Sequence, residues 1–231
     1  MAVAGEQWTV LKLIDWTREY FARSGLEEPR LAAEILLADV LGCERVRLYA
    51  RYDEPVAAEP RGAFRELVRR AAAGEPIAYL TGRKEFYSLS FKVTPDVLVP
   101  RPETELLVDA ALEVARAADG PVRLWDLCTG SGCVPVAAAR YAPNLTALAS
   151  DISEAALAVA AANVAAHELD DRIRLERADL FDAAAEATGQ EGFHVITANP
   201  PYVSEGDYED LSPQVRREPA VALRAGADGL E

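Results

Sequence analysis

A short, mostly apolar run from Val122 to Leu127 leads directly into Cys128-Thr129-Gly130-Ser131-Gly132-Cys133 and then into a helical stretch from Val134 to Tyr141. Buried strand, glycine loop and helix in that order form the opening unit of a parallel α/β nucleotide-type site, which restricts the possible folds more than any other segment. Gly130 and Gly132 let the backbone turn tightly and approach a ligand, and the helix N-terminus beyond them favours a carboxylate or another anion. Pro135 falls in the first helical turn, where its missing N–H costs little. The loop has neither the three-glycine dinucleotide pattern nor the lysine of a P-loop, so no bound phosphate is implied.

Downstream residues extend this unit into a crevice. Ala147-Leu148-Ala149-Ser150-Asp151 reads as a second strand ending on a carboxylate about 20 residues after the loop, the spacing of a group that binds both hydroxyls of a ribose. Ile152 follows it, placed to cover one face of an adenine. A third strand, Arg172 to Glu176, leads to Asp179, placed to accept an adenine amino group, and Leu180, placed to pack on the ring. Each of these residues alone also reads as a strand-end cap or core filler. In sequence, at the carboxyl ends of successive strands, they describe one adenosine site.

A fourth apolar run, Phe193-His194-Val195-Ile196-Thr197-Ala198, opens into Asn199-Pro200-Pro201-Tyr202. The Asn199 side-chain oxygen and the Pro200 carbonyl would accept the two N–H groups of a planar amide or exocyclic amine. Pro201 has no N–H and a fixed φ, so the step is stiff and does not compete for those acceptors. Tyr202 offers a flat face for stacking. The alternative is a Pro-rich turn closing a strand.

With these segments in place, the chain resembles the class I S-adenosylmethionine-dependent methyltransferases, and more closely the HemK-type protein-(glutamine-N5) methyltransferases that modify peptide chain release factors. The resemblance runs through Tyr79-Leu80-Thr81-Gly82, Glu85-Phe86-Tyr87 with Phe91-Lys92-Val93, Val99-Pro100-Arg101-Pro102-Glu103-Thr104-Glu105, the glycine loop, Asn-Pro-Pro-Tyr and Arg217-Glu218-Pro219. It implies an S-adenosylmethionine cofactor held by Cys128, Thr129, Gly130, Ser131, Gly132, Asp151, Ile152, Asp179 and Leu180, with Asn199 at its edge. It implies a glutamine held by Asn199, Pro200, Pro201 and Tyr202, with Asn199, Pro200 and Tyr202 as the catalytic set. Arg101, Glu103 and Thr104 shape that pocket by resemblance; Pro102 and the acids also read simply as a helix start. Class 1 release factors, modified in their Gly-Gly-Gln motif, are the implied partners. Cys128 and Cys133, where the family more often has small residues, resemble the sister enzymes acting on a glutamine of a large-subunit ribosomal protein. Asn-Pro-Pro-Tyr also occurs in adenine-N6 and guanine-N2 nucleic-acid methyltransferases.

Charge and composition narrow these options. With 24 basic against 38 acidic residues and a net charge of -14, a broad basic face for duplex DNA is not expected. No apolar run is long enough to span a bilayer, and the three cysteines, Cys43, Cys128 and Cys133, suggest a reducing, cytoplasmic setting. Two histidines and no paired Cys-x-x-Cys leave no expected metal.

Periodicity supplies the organisation. Trp8 to Ser24, Pro29 to Leu41 and Pro60 to Ala73 read as helices stopped by Gly25, Gly42 and Gly74, a helical substrate-binding domain over 1–83. Alternation between Lys84 and Thr94 reads as a β-hairpin in a linker, 84–98. A helix from Glu103 to Ala117 opens the methyltransferase domain, 99–231, a doubly wound Rossmann-like α/β core. The Phe193 to Ala198 strand is expected to be apolar on both faces. A complete sheet of this family has about seven strands against four readable here, so the resemblance implies a truncated form of a protein roughly 50 residues longer.

Overall fold

The computed structural model describes residues 7–183 and 192–229, and the chain divides into two units, Met1–Thr81 and Gly82–Glu231. The first is helical: α1 (Val10–Arg23), α2 (Pro29–Val40), α3 (Arg45–Ala50), α4 (Ala58–Ala72) and α5 (Ile77–Thr81). Thr9 caps α1 by accepting the Lys12 N–H on its hydroxyl. Val10, Ile14, Phe21, Leu36, Leu37, Leu48 and Phe64 fill its core. Glu34 lies buried on α2, and its carboxylate accepts from Arg30 Nε at 2.9 Å and the Tyr49 hydroxyl at 3.1 Å. A buried acid is tolerated only with such donors. At six and five residues, α3 and α5 are too short to show a helical period in sequence.

The second unit opens with an antiparallel hairpin, β1 (Arg83–Phe86) and β2 (Leu89–Lys92), paired from Arg83↔Lys92 to Phe86↔Leu89. Its two turn residues, Tyr87 and Ser88, both have positive φ, the geometry of a tight hairpin turn built without glycine. Helix α6 (Glu105–Ala117) holds this strained turn: Glu105 Oε1 accepts the Tyr87 N–H at 2.9 Å and Asp109 Oδ1 accepts the Tyr87 hydroxyl at 2.7 Å. Phe86 and Phe91 are buried among Val108, Leu112 and Leu124. The hairpin expected within 84–98 falls in the second unit, and its aromatic face is part of that unit's core.

Four parallel strands follow, β3 (Val122–Leu127), β4 (Leu145–Asp151), β5 (Ile173–Arg177) and β6 (Val195–Ala198), in the order β5-β4-β3-β6. Helices α7 (Cys133–Tyr141) and α8 (Glu154–Ala166) form the crossovers. Val122 and Leu124 point to the face covered by α6 and α7, while Trp125 and Leu127 point to the other, beside Leu148, Ala178 and Phe193. The register pairs Leu127 with Ser150 and with Ala198, so the loops after β3, β4 and β6 leave the sheet at one level. Strand β6 departs from expectation. Among the described residues it pairs with β3 alone, and Ile196 is 52% exposed, so it is not apolar and buried on both faces.

Asn163, on α8, joins three parts of this unit. Its Oδ1 accepts the Lys92 N–H at 2.7 Å, and its Nδ2 donates to Lys92 O at 3.0 Å and Ser131 O at 2.8 Å. Alanine there leaves buried backbone groups without partners, each at a desolvation penalty. Asn163→Ala is expected to destabilise the second unit by about 2 kcal/mol in urea unfolding; a loss too small to resolve would show that water replaces the amide.

Candidate active site

The glycine loop takes its shape from backbone torsions that side chains resist. Cys128, Gly130 and Gly132 all have positive φ, and for Cys128 that is a strained conformation. Thr129 anchors the turn at both ends: its N–H donates to Ser150 O at 3.0 Å and its hydroxyl to Asp126 Oδ2 at 2.7 Å. Gly132 has a further constraint, since a Cβ there would lie 3.2 Å from that of Ala160.

Asp151, at the end of β4, is ordered by the backbone around it. Oδ2 accepts the Gly130 N–H at 2.8 Å and Oδ1 accepts the Ser153 N–H at 3.0 Å. A carboxylate oxygen has two acceptor sites, so each retains one for a ligand hydroxyl. Beyond β5, the Ala178 N–H donates to Asp151 O at 3.1 Å, and Leu180 adopts positive φ. Leu180 and Ile152 are each about half exposed, two aliphatic groups lining the cavity described next.

The opposite wall comes from β6 and the segment before α6. Asn199 Nδ2 donates to the buried Thr104 hydroxyl at 3.4 Å. This leaves Oδ1 as the amide's free acceptor. Glu218, buried, accepts the Val99 N–H at 2.9 Å and Arg101 Nη2 at 2.5 Å, so Arg217-Glu218-Pro219 clamps the Pro100-Arg101-Pro102 turn. Val203 and Leu223 to Ala225 exchange backbone hydrogen bonds, which brings Val221 and Arg224 alongside the Pro-Pro step.

Together these walls enclose a cavity of about 340 Å³ at the carboxyl ends of the strands. Cys128, Thr129, Gly130, Asp151, Ile152, Asp179 and Leu180 line one part; Arg101, Thr104, Asn199, Pro200 and Pro201 line the other. Four residues expected at the site do not line it. Ser131 is buried under the loop with its carbonyl on Asn163, and Gly132 faces Ala160. Glu103 points to solvent ahead of α6, and Tyr202 is 72% exposed beyond the cavity. Asp126, Val221 and Arg224 line it without having been expected. A signal for Asp126 exists, an acid inside an otherwise apolar strand end; none marks Arg224.

The electrostatics restrict the chemistry. Burial, reinforced by Asp151, Asp126 and Asp179, pushes the Cys128 thiol up to about 11, and burial pushes Cys133 up to about 12. Both are protonated near neutral pH and neither is a thiolate nucleophile. The lining includes no histidine among the described residues. What remains is a set of hydrogen-bonding groups, the Arg101 and Arg224 guanidiniums among them, suited to binding and alignment. A carboxylate with two spare acceptor sites, two exposed aliphatic side chains and a close-approach glycine loop fit the ribose, adenine and amino-acid parts of an S-adenosyl amino acid.

The chain is also similar to known proteins in sequence and in fold. Residues 12–82 match the PrmC N-terminal domain and residues 103–225 match the methyltransferase small domain. A release factor glutamine methyltransferase of Rhodopirellula baltica is 46% identical over 97% of this chain and 76% of its own length. One from Geobacter sulfurreducens is 42% identical over 98% of this chain and 77% of its own. In fold alone, the chain is similar to the hMettl16 catalytic domain solved with a MAT2A 3′UTR hairpin, at TM-score 0.50 and 17% identity over 62% of this chain and 52% of that one.

Proposed function

We propose that this chain, which belongs to the family of release factor glutamine methyltransferases, transfers a methyl group from S-adenosylmethionine to the side-chain nitrogen of a glutamine in class 1 peptide chain release factors. The observation that carries this reading is the opposition, across one cavity, of the Asp151 wall and the Asn199-Pro200 wall. Relatives at 40–46% identity that bear the release factor name favour that substrate over a ribosomal protein or a nucleic acid.

The cofactor, when bound, supplies an electrophilic methyl on a sulfonium sulfur. Cys128, Thr129 and Gly130 would cradle its amino-acid part, Asp151 its ribose hydroxyls, and Ile152, Asp179 and Leu180 its adenine. A glutamine amide nitrogen is a poor nucleophile because its lone pair is delocalised into the carbonyl. Asn199 Oδ1 and Pro200 O would take its two N–H groups, turn the lone-pair face toward the methyl and stabilise positive charge as it grows on nitrogen. Transfer to nitrogen would break the cofactor's S–C bond, and the nitrogen, acidic once charged, would lose a proton to water. Thr104 holds the Asn199 amide in the required sense, while Arg101 acts through Glu218 to shape the turn. The helical unit, Met1–Thr81, is assigned to recognition of the protein substrate.

Incubation of the enzyme with methyl-labelled cofactor and, separately, purified release factor, ribosomal subunits or DNA tests the reading. Label is expected on a glutamine of the release factor. Label confined to ribosomal protein or to DNA would assign the enzyme to another substrate.

A further inference from the structure

Asp126 is buried at 2% exposure, one residue from the end of β3, and each of its oxygens takes one hydroxyl. Oδ2 accepts Thr129 Oγ1 at 2.7 Å, from the glycine loop, and Oδ1 accepts Thr197 Oγ1 at 2.7 Å, from β6 two residues before Asn199. One carboxylate therefore bridges the two walls of the cavity. Resting on the functional reading above, we infer that Asp126 is a positioning residue for methyl transfer, fixing through Thr129 and Thr197 the separation between the cofactor cradle and the amide pocket.

The physical argument is alignment. In-line transfer between two bound groups is sensitive to displacements well below an ångström, and a side chain spanning both supports is where such precision is set. Packing alone asks for an apolar residue here, because the carboxylate is costly to bury. Burial pushes its pKa up to about 6 while the two hydroxyls pull it down and Asp151 adds to the rise. Asp151 on β4 and the thiols of Cys128 and Cys133 are the other titratable groups lying against it, and both thiols stay neutral near pH 7. Two short hydrogen bonds to an ionised oxygen pair are stronger than neutral ones, so the clasp is tight when Asp126 is charged and slackens when it takes a proton.

The test uses Thr197, which lies behind the cavity lining. Thr197→Val keeps the shape of the side chain and removes one arm of the clasp. We expect kcat for release factor to fall about 10-fold, while KM for release factor and the Kd of S-adenosylhomocysteine stay within about two-fold. Loss of the hydroxyl also raises the Asp126 pKa, so the acid limb of kcat against pH and the ¹³Cγ titration of Asp126 in the free protein both move to higher pH. Thr197→Ser should reverse all three changes. If the parent transfers no methyl to release factor glutamine, the functional reading falls. If the parent is active and Thr197→Val keeps kcat within two-fold, or changes kcat without moving the Asp126 titration, the clasp alone is overturned.

Discussion

Asn199→Ala is expected to lower methyl transfer to release factor by ~100-fold or more while the affinity for S-adenosylhomocysteine changes only a few-fold. The asymmetry follows from where the side chain acts. Its Nδ2 is committed to the Thr104 hydroxyl, so Oδ1 is the group that the proposed reading gives to the reacting amide. A hydrogen bond from that amide strengthens as positive charge builds on nitrogen, and its loss therefore falls on kcat more than on binding. Alanine removes both the acceptor and the geometric constraint. The Pro200 carbonyl remains, which sets the residual rate. Single-turnover measurement with saturating cofactor reads the chemical step directly, and near-parent turnover would mean that Pro200 and the protein substrate align the amide unaided.

The residues legible in the sequence share a position: each sits where a parallel strand opens into a loop. Doubly wound sheets bind ligands along that edge, so Gly130, Asp151, Leu180 and Asn199 could be placed from strand patterns alone. They do line one cavity. Legibility ended where tertiary contact decides the outcome. Ser131 and Gly132 belong to the same motif as Gly130, yet one turn of backbone directs them at Asn163 and Ala160 instead of the ligand space. The hairpin alternates as a linker hairpin would, and only the burial of Phe86 and Phe91 against α6 shows that it is core. Asp126 stood out only as an acid in an apolar strand; its partners, three and 71 residues away, gave no sign of the bridge. Separations of that kind leave no local period to read.

A second large effect is expected at Asp151. Its two oxygens hold the Gly130 and Ser153 N–H groups at 2.8 and 3.0 Å, so the carboxylate orders the glycine loop before any ligand arrives. A ribose binding to the two remaining acceptor sites would gain charge-assisted hydrogen bonds at little further ordering cost. Asp151→Ala removes both contributions, and S-adenosylhomocysteine binding is expected to weaken by ~100-fold, the scale of two such bonds less what water restores. Asp151→Asn keeps one acceptor oxygen and should lie between. Because the ribose takes no part in bond making, these contacts are equal in ground and transition states, and kcat at saturating cofactor should stay within a few-fold of the parent. Calorimetric titration separates the outcomes. An affinity within three-fold of the parent in Asp151→Ala would leave Asp151 a support of the loop and remove it from the ribose site, whereas a collapse of kcat at saturation would move its role into the chemical step.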